Sequence, residues 1–258
     1  MIEEKRIPST TIRGSGRIQV PGYGTFKVSG SGSISSEEIK TSGSCKIPGG
    51  LTVDRVSVRG STTIMGDIDA QEMDFRGSAH IEGNAKFREL EKSGSMSIDG
   101  DADGGTMIVK GSTKVKGSIK LEETMEAHGS LKVKGDVEAG NQFEYSGAID
   151  VGGKVVTDKF IAKMNGGDSY VENGVKARAV EIALSEWGSR RRREDELFKT
   201  SDIEAEDEVY LENVVCMNVT GGDVEIGPGC EIKGIVSYRD SIKVSSGSKL
   251  RNDPLKID

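Results

Sequence analysis

The chain carries little of what catalysis and cross-linking usually require. Among 258 residues there are two histidines, three cysteines, one tryptophan and five prolines. The cysteines, Cys45, Cys216 and Cys230, are odd in number and lack CxxC spacing. That pattern argues against a disulfide framework and against a clustered zinc site. Cys45 and Cys230 fall at positions expected to point inward, so buried free thiols are the plain reading. His80 and His128 stand far from all three. P-loop, dinucleotide, GxSxG and HExxH patterns are missing, so neither cofactor nor metal is expected and the chain reads as a non-enzyme. No apolar run approaches the length of a membrane-spanning helix. The opening residues, Met1 to Pro8, have no apolar stretch of the signal-peptide kind. The cytoplasm is therefore the expected location, with membrane association left open. A net charge of −7 disfavours general nucleic-acid binding, which rests on a basic field.

Glycine is what the chain has, 35 residues of it, and it is placed with a period. Gly43, Gly60, Gly77, Gly94 and Gly111 recur every 17 residues, and Gly129 and Gly147 follow at steps of 18. Serine comes next each time until Ala148. Six residues after each of these glycines stands another, from Gly49 to Gly153. A constant period of this kind marks a solenoid. Counting from the first glycine of each unit, apolar residues fall at offsets two and four, eight and ten, thirteen and fifteen. Offset four reads Ile47, Ile64, Ile81, Ile98, Val115, Val133 and Val151. Pairs two residues apart have the period of a strand, three times per unit. The fold class expected is all-β, a single-stranded parallel β-helix of triangular section. Both glycines of each unit are expected at corners between strands, with positive φ or no room for a Cβ. Offset nine alternates in sign, Asp69, Lys86, Asp103, Lys120, Glu138. In register these would pair across coils; an ordinary solvated face is the other reading.

The period divides the chain into a tail at 1–13, a main stack at 14–184, an insertion at 185–206 and further coils at 207–258. Residues 14–42 share the Gly-Ser chemistry at poorer spacing and read as irregular first coils. Asn173 stands where a corner glycine is expected, and asparagine tolerates the left-handed region. The insertion holds Arg190, Arg191, Arg192 and Arg193, followed at once by Glu194, Asp195 and Glu196. The arginines are candidate partner-binding residues for an acidic partner or anionic lipid; a self-neutralising loop is the alternative. Outward acids do not cluster as a glycosidase or lyase would need.

The Gly-punctuated repeat, together with the late segment Val224 to Tyr238 (VEIGPGCEIKGIVSY), resembles the bactofilins, polymer-forming bacterial cytoskeletal proteins. The likeness covers most of the chain from about Gly30. It implies a right-handed triangular β-helix that polymerises without nucleotide into non-polar filaments through its terminal coils. It also implies a scaffold in cell shape, envelope growth or motility. The chain departs from the compact family type by its extra coils, its insertion and a short charged N-terminal tail without the apolar targeting segment of some relatives. Open β-helix ends are templates for another chain. The expected polymerisation interface is therefore Phe26, Val28, Ile34 and Ile39 at one end, with Ile242, Val244 and Leu250 at the other. The expected partner is the chain itself, end to end, with another scaffold or envelope protein as a further candidate. A carbohydrate-active β-helix enzyme and a soluble binding module using the arginine loop are the alternatives.

Overall fold

A computed structural model describes residues 7–185 and 196–258. The chain is an all-β, mostly parallel, right-handed triangular β-helix; the period predicts the coils and their triangular section, and the resemblance implies the hand. It divides into two compact units, Met1–Lys120 and Leu121–Asp258.

The first unit holds β1 (Thr10–Val20), β2 (Gly24–Ile34), β3 (Glu38–Pro48), β4 (Leu51–Met65), β5 (Ile68–Ile81), β6 (Ala85–Ile98) and β7 (Ala102–Val115). β8 (Ile119–Leu121) lies at its boundary. From β3 to β7 each strand pairs in parallel with the next, one repeat apart. Ile47, Ile64, Ile81, Ile98 and Val115 are register partners in turn, all fully buried. This is the expected inward file. The side chains at offset thirteen, Val56, Met73, Leu90 and Met107, form a second buried file.

The corners are subtler than expected. The first glycine of each unit lies inside a long strand, not between two short ones, and bends it with φ between +103° and +127° at Gly43, Gly60, Gly77, Gly94 and Gly111. A Cβ on Gly77 would land on the carbonyl oxygen of Gly60, one coil back, and Gly94 and Gly111 repeat the conflict. Only glycine meets both demands. The second corner works differently. Gly66 has a positive φ, but Gly83, Gly100 and Gly117 do not. They are glycines because a Cβ would strike Oδ1 of Asp67, Asn84 and Asp101. Those side chains form a ladder. Asp67 Oδ1 accepts the N–H of Asn84 at 2.7 Å, Asn84 Oδ1 that of Asp101 at 2.8 Å, and Asp101 Oδ1 that of Ser118 at 2.8 Å. At the third corner the parallel ladder skips Asp54, Gln71 and Arg88.

Residues 14–42 are not irregular coils. β1, β2 and β3 form an antiparallel meander. The turn at Pro21–Tyr23, closed by Tyr23 N–H to Val20 O at 3.0 Å and relaxed by positive φ at Gly22 and Gly24, reverses the chain. The register nonetheless continues the glycine file as Gly14, Gly30, Gly43 and the serine file as Ser15, Ser29, Ser44. The strand direction changes while the side-chain columns carry on.

The second unit begins with β9 (Thr124–Val133), β10 (Val137–Val151) and β11 (Val155–Met164). Its next coils resolve into three short strands each. They are β12 (Ser169–Val171), β13 (Val175–Ala177) and β14 (Ala179–Leu184), then β15 (Phe198–Thr200), β16 (Asp202–Ala205) and β17 (Glu208–Leu211). β18 (Val214–Cys216), β19 (Asn218–Ile226), β20 (Glu231–Ile232), β21 (Val236–Val244), β22 (Lys249–Leu250) and β23 (Leu255–Lys256) complete it. β12, β15, β18, β20 and β22 line one face through successive parallel pairings. The insertion is therefore shorter than 185–206. Phe198, Ile203 and Ala205 are buried in β15 and β16, which pair with β12 and β13 as a regular coil. Asn173 does not take the left-handed corner; Gly174 does, at φ +93°, and Asn213 is left-handed at φ +52°.

Candidate surfaces: the terminal coil and a hydroxyl-lined groove

The files of the second unit end open. Ile182, Leu211, Ile226 and Val244 are successive register partners. The first three are fully buried, whereas Val244 is 42% exposed. Val180, Val209 and Val224 run buried to a half-exposed Ile242, and Ile232 runs to a half-exposed Leu250. Leu255 in β23 is 52% exposed. The apolar columns that the coils bury along their length thus reach solvent at β21 to β23.

The expected N-terminal interface residues behave otherwise. Phe26, Val28, Ile34 and Ile39 are no more than 4% exposed. The meander folds them into the core of their own unit, which leaves those side chains no surface for a joint. What that end presents instead is β1, which within its unit bonds to β2 alone among the described strands. Its outer edge is a row of backbone groups bordered by exposed Arg13 and Arg17. Arg190, Arg191, Arg192 and Arg193 lie outside the described residues.

A groove of about 890 Å³ runs over the first unit beside the glycine corner. Its rungs are Ser15, Ser29, Ser44, Ser61, Ser78 and Ser95, one per strand and in register. Its floor is the offset-two column, including Cys45, Thr62, Ala79 and Met96, each at most 5% exposed. Thr62 Oγ1 accepts the Cys45 thiol at 3.0 Å. One wall carries Arg17, Lys27 and Lys46, which are direct neighbours across three strands. Farther along the same row His80 Nε2 lies 3.2 Å from Asp99 Oδ1, which Lys116 also holds at 2.9 Å. Those partners keep the Asp99 carboxyl below the usual range, the Lys116 hydrogen bond most of all. The composition-based reading missed this groove. The signal was present as the constant serine after each corner glycine.

The sign-alternating residues Asp69, Lys86 and Asp103 do stand in register, but among the described residues they are not ion-paired. Pairing occurs elsewhere, as at Arg55 with Glu72 at 2.8 Å. Cys45, Cys216 and Cys230 are all buried and free. Burial pushes the Cys216 thiol up to about 12 and Cys230 to about 11, so neither is poised as a nucleophile. Among the described residues, no group of three histidine, cysteine, aspartate or glutamate side chains is placed to hold a metal. No helix among them is long and apolar enough to cross a membrane.

Comparison with protein-family models, with curated proteins and with solved structures returned no match. The architecture is that of a right-handed β-solenoid, a fold consistent with polymer-forming scaffold proteins in general.

Proposed function

We propose that the chain is a structural scaffold of the bactofilin kind, a non-enzymatic protein that assembles end to end into filaments without nucleotide. The observation that carries this reading is the opening of buried files at the C-terminal coil, where Val244 is 42% exposed while its register partner Ile226 is fully buried. Apolar columns of this kind are stabilised by whatever stacks on them, and another coil has the matching spacing. The edge of β1, unpaired within its unit among the described residues, supplies the complementary requirement, a strand able to exchange main-chain hydrogen bonds with a neighbour. The resemblance supports a place in the cytoplasm and a role in cell shape, envelope growth or motility.

Electron microscopy of negatively stained protein, purified in chelator and free of nucleotide, tests the proposal. Filaments are expected. Particles that stay monodisperse at tens of micromolar concentration, about the range where a weak self-association would populate polymers, would count against it.

A further inference from the structure

We propose that the groove of the first unit binds a linear acidic glycan of the uronate type, laid across the strands with three successive carboxylates against Arg17, Lys27 and Lys46 at one end. Three observations lead there. First, Arg17 faces Lys27 and Lys27 faces Lys46 as direct register partners, and all three are exposed. Like charges in that relation repel. Among the described residues none of the three forms an ion pair, although acids outnumber bases 42 to 35 in the chain. A row of uncompensated cations in an acidic protein calls for an anion from elsewhere.

Second, among the described residues the groove into which this row faces is lined by no acidic residue. Its one histidine is already engaged with Asp99, so the three cations define the charge of the site.

Third, the remaining lining fixes the kind of anion. Six serine rungs on six adjacent strands span five strand spacings, roughly 24 Å at about 4.8 Å each. A chain of sugars advances by a similar step, so successive residues can exchange hydrogen bonds with successive rungs. Val28, Ala79 and Met96 beneath the rungs are at most 5% exposed, so the surface offered to a ligand between the cations is the row of serine hydroxyls. Single-stranded nucleic acid would favour aromatic stacking platforms, and among the described residues the lining contains no phenylalanine, tyrosine or tryptophan. An extended peptide would favour free strand edges, whereas this lining is mainly the face of a sheet whose edges are already paired from β2 onward.

Isothermal titration of the full chain with a hexameric oligogalacturonate at low ionic strength tests the site. Saturable binding is expected, weakened about tenfold or more in the double variant Lys27→Gln, Lys46→Gln, which loses two charge-assisted contacts. Ser78→Leu, which fills the groove without changing its charge, should weaken binding comparably. Both variants alter exposed positions, and unchanged circular dichroism and melting would verify their folds. A neutral glucan of the same length should bind at least about tenfold more weakly, by the same charge argument. Absence of oligogalacturonate binding would overturn the proposal. So would full binding by either variant, or equal binding of inorganic polyphosphate or a single-stranded oligonucleotide, which would reveal an unselective cationic patch.

Discussion

At single positions, two conflicts between residue type and location are resolved by backbone geometry. Gly77 combines a φ of +127° with a carbonyl oxygen of the previous coil where its Cβ would sit. Gly77→Ala should therefore cost more than the usual effect of a compatible glycine replacement, roughly 1–3 kcal/mol, read as a lower midpoint in chemical denaturation. Lys92 is the second case. It occupies offset fifteen, where Phe75 and Val109 are its inward neighbours, and it is 3% exposed. Its ammonium donates to the carbonyls of Gly94 and Ser112, the latter at 2.7 Å, with no carboxylate partner among the described residues. Burial lowers its pKa from 10.5 to about 8. Between those values the unfolded chain holds more protons than the folded one, so the contribution of this group to stability rises with pH from about 8 to about 10.5. Comparison of melting profiles of wild type and Lys92→Met over that window should show a wild-type gain on the order of 1–3 kcal/mol that the variant lacks. Parallel profiles would show that the ammonium is as well solvated inside as out.

At the level of strands and coils, the sequence reveals columns better than directions. Ile47, Ile64 and Ile81 were legible as one file because a fixed period maps directly onto register. The meander was hidden by the same feature. Gly14 pairs with Gly30 and Gly30 with Gly43, so antiparallel strands keep the columns that coils would have. The Pro-Gly pair at Pro21-Gly22 is the sequence signal that could have marked the reversal. Asp67, Asn84 and Asp101 recur every 17 residues, but spacing alone does not tell an Asx side chain on a solvated corner from one that accepts the N–H of the next coil. β15 and β16 were missed because the charged run before them broke the count, although Phe198 and Ile203 keep the inward alternation. Phe198 belongs to an aromatic cluster in the second unit. The Phe160 ring lies 5.5 Å from Phe143, 6.0 Å from Tyr145 and 5.9 Å from Phe198. Phe160→Ala removes the shared member and should destabilise that unit by about 3–5 kcal/mol in calorimetry or denaturant titration. A loss below about 1 kcal/mol would mean that the neighbouring rings collapse into the space.

For the whole molecule, the proposed assembly draws on what remains open after the coils have stacked. Interior files are satisfied by their neighbours, and apolar columns of the second unit reach solvent at its C-terminal coil. The expectation of two equivalent apolar ends gave way to a difference between the units, with Phe26 and Ile39 buried in the first and Val244 and Leu255 exposed in the second. The proposed assembly should therefore be most sensitive in the second. The deciding measurement is sedimentation of wild type beside Val244→Arg in nucleotide-free buffer. An arginine at a 42% exposed position is tolerated in the free protein but carries an unpaired charge into any stacked joint. Wild type should pellet as polymer, while the variant stays in the supernatant with an unchanged fold. A variant that pellets like wild type, or a wild type that remains wholly soluble, would contradict assembly through the terminal coil.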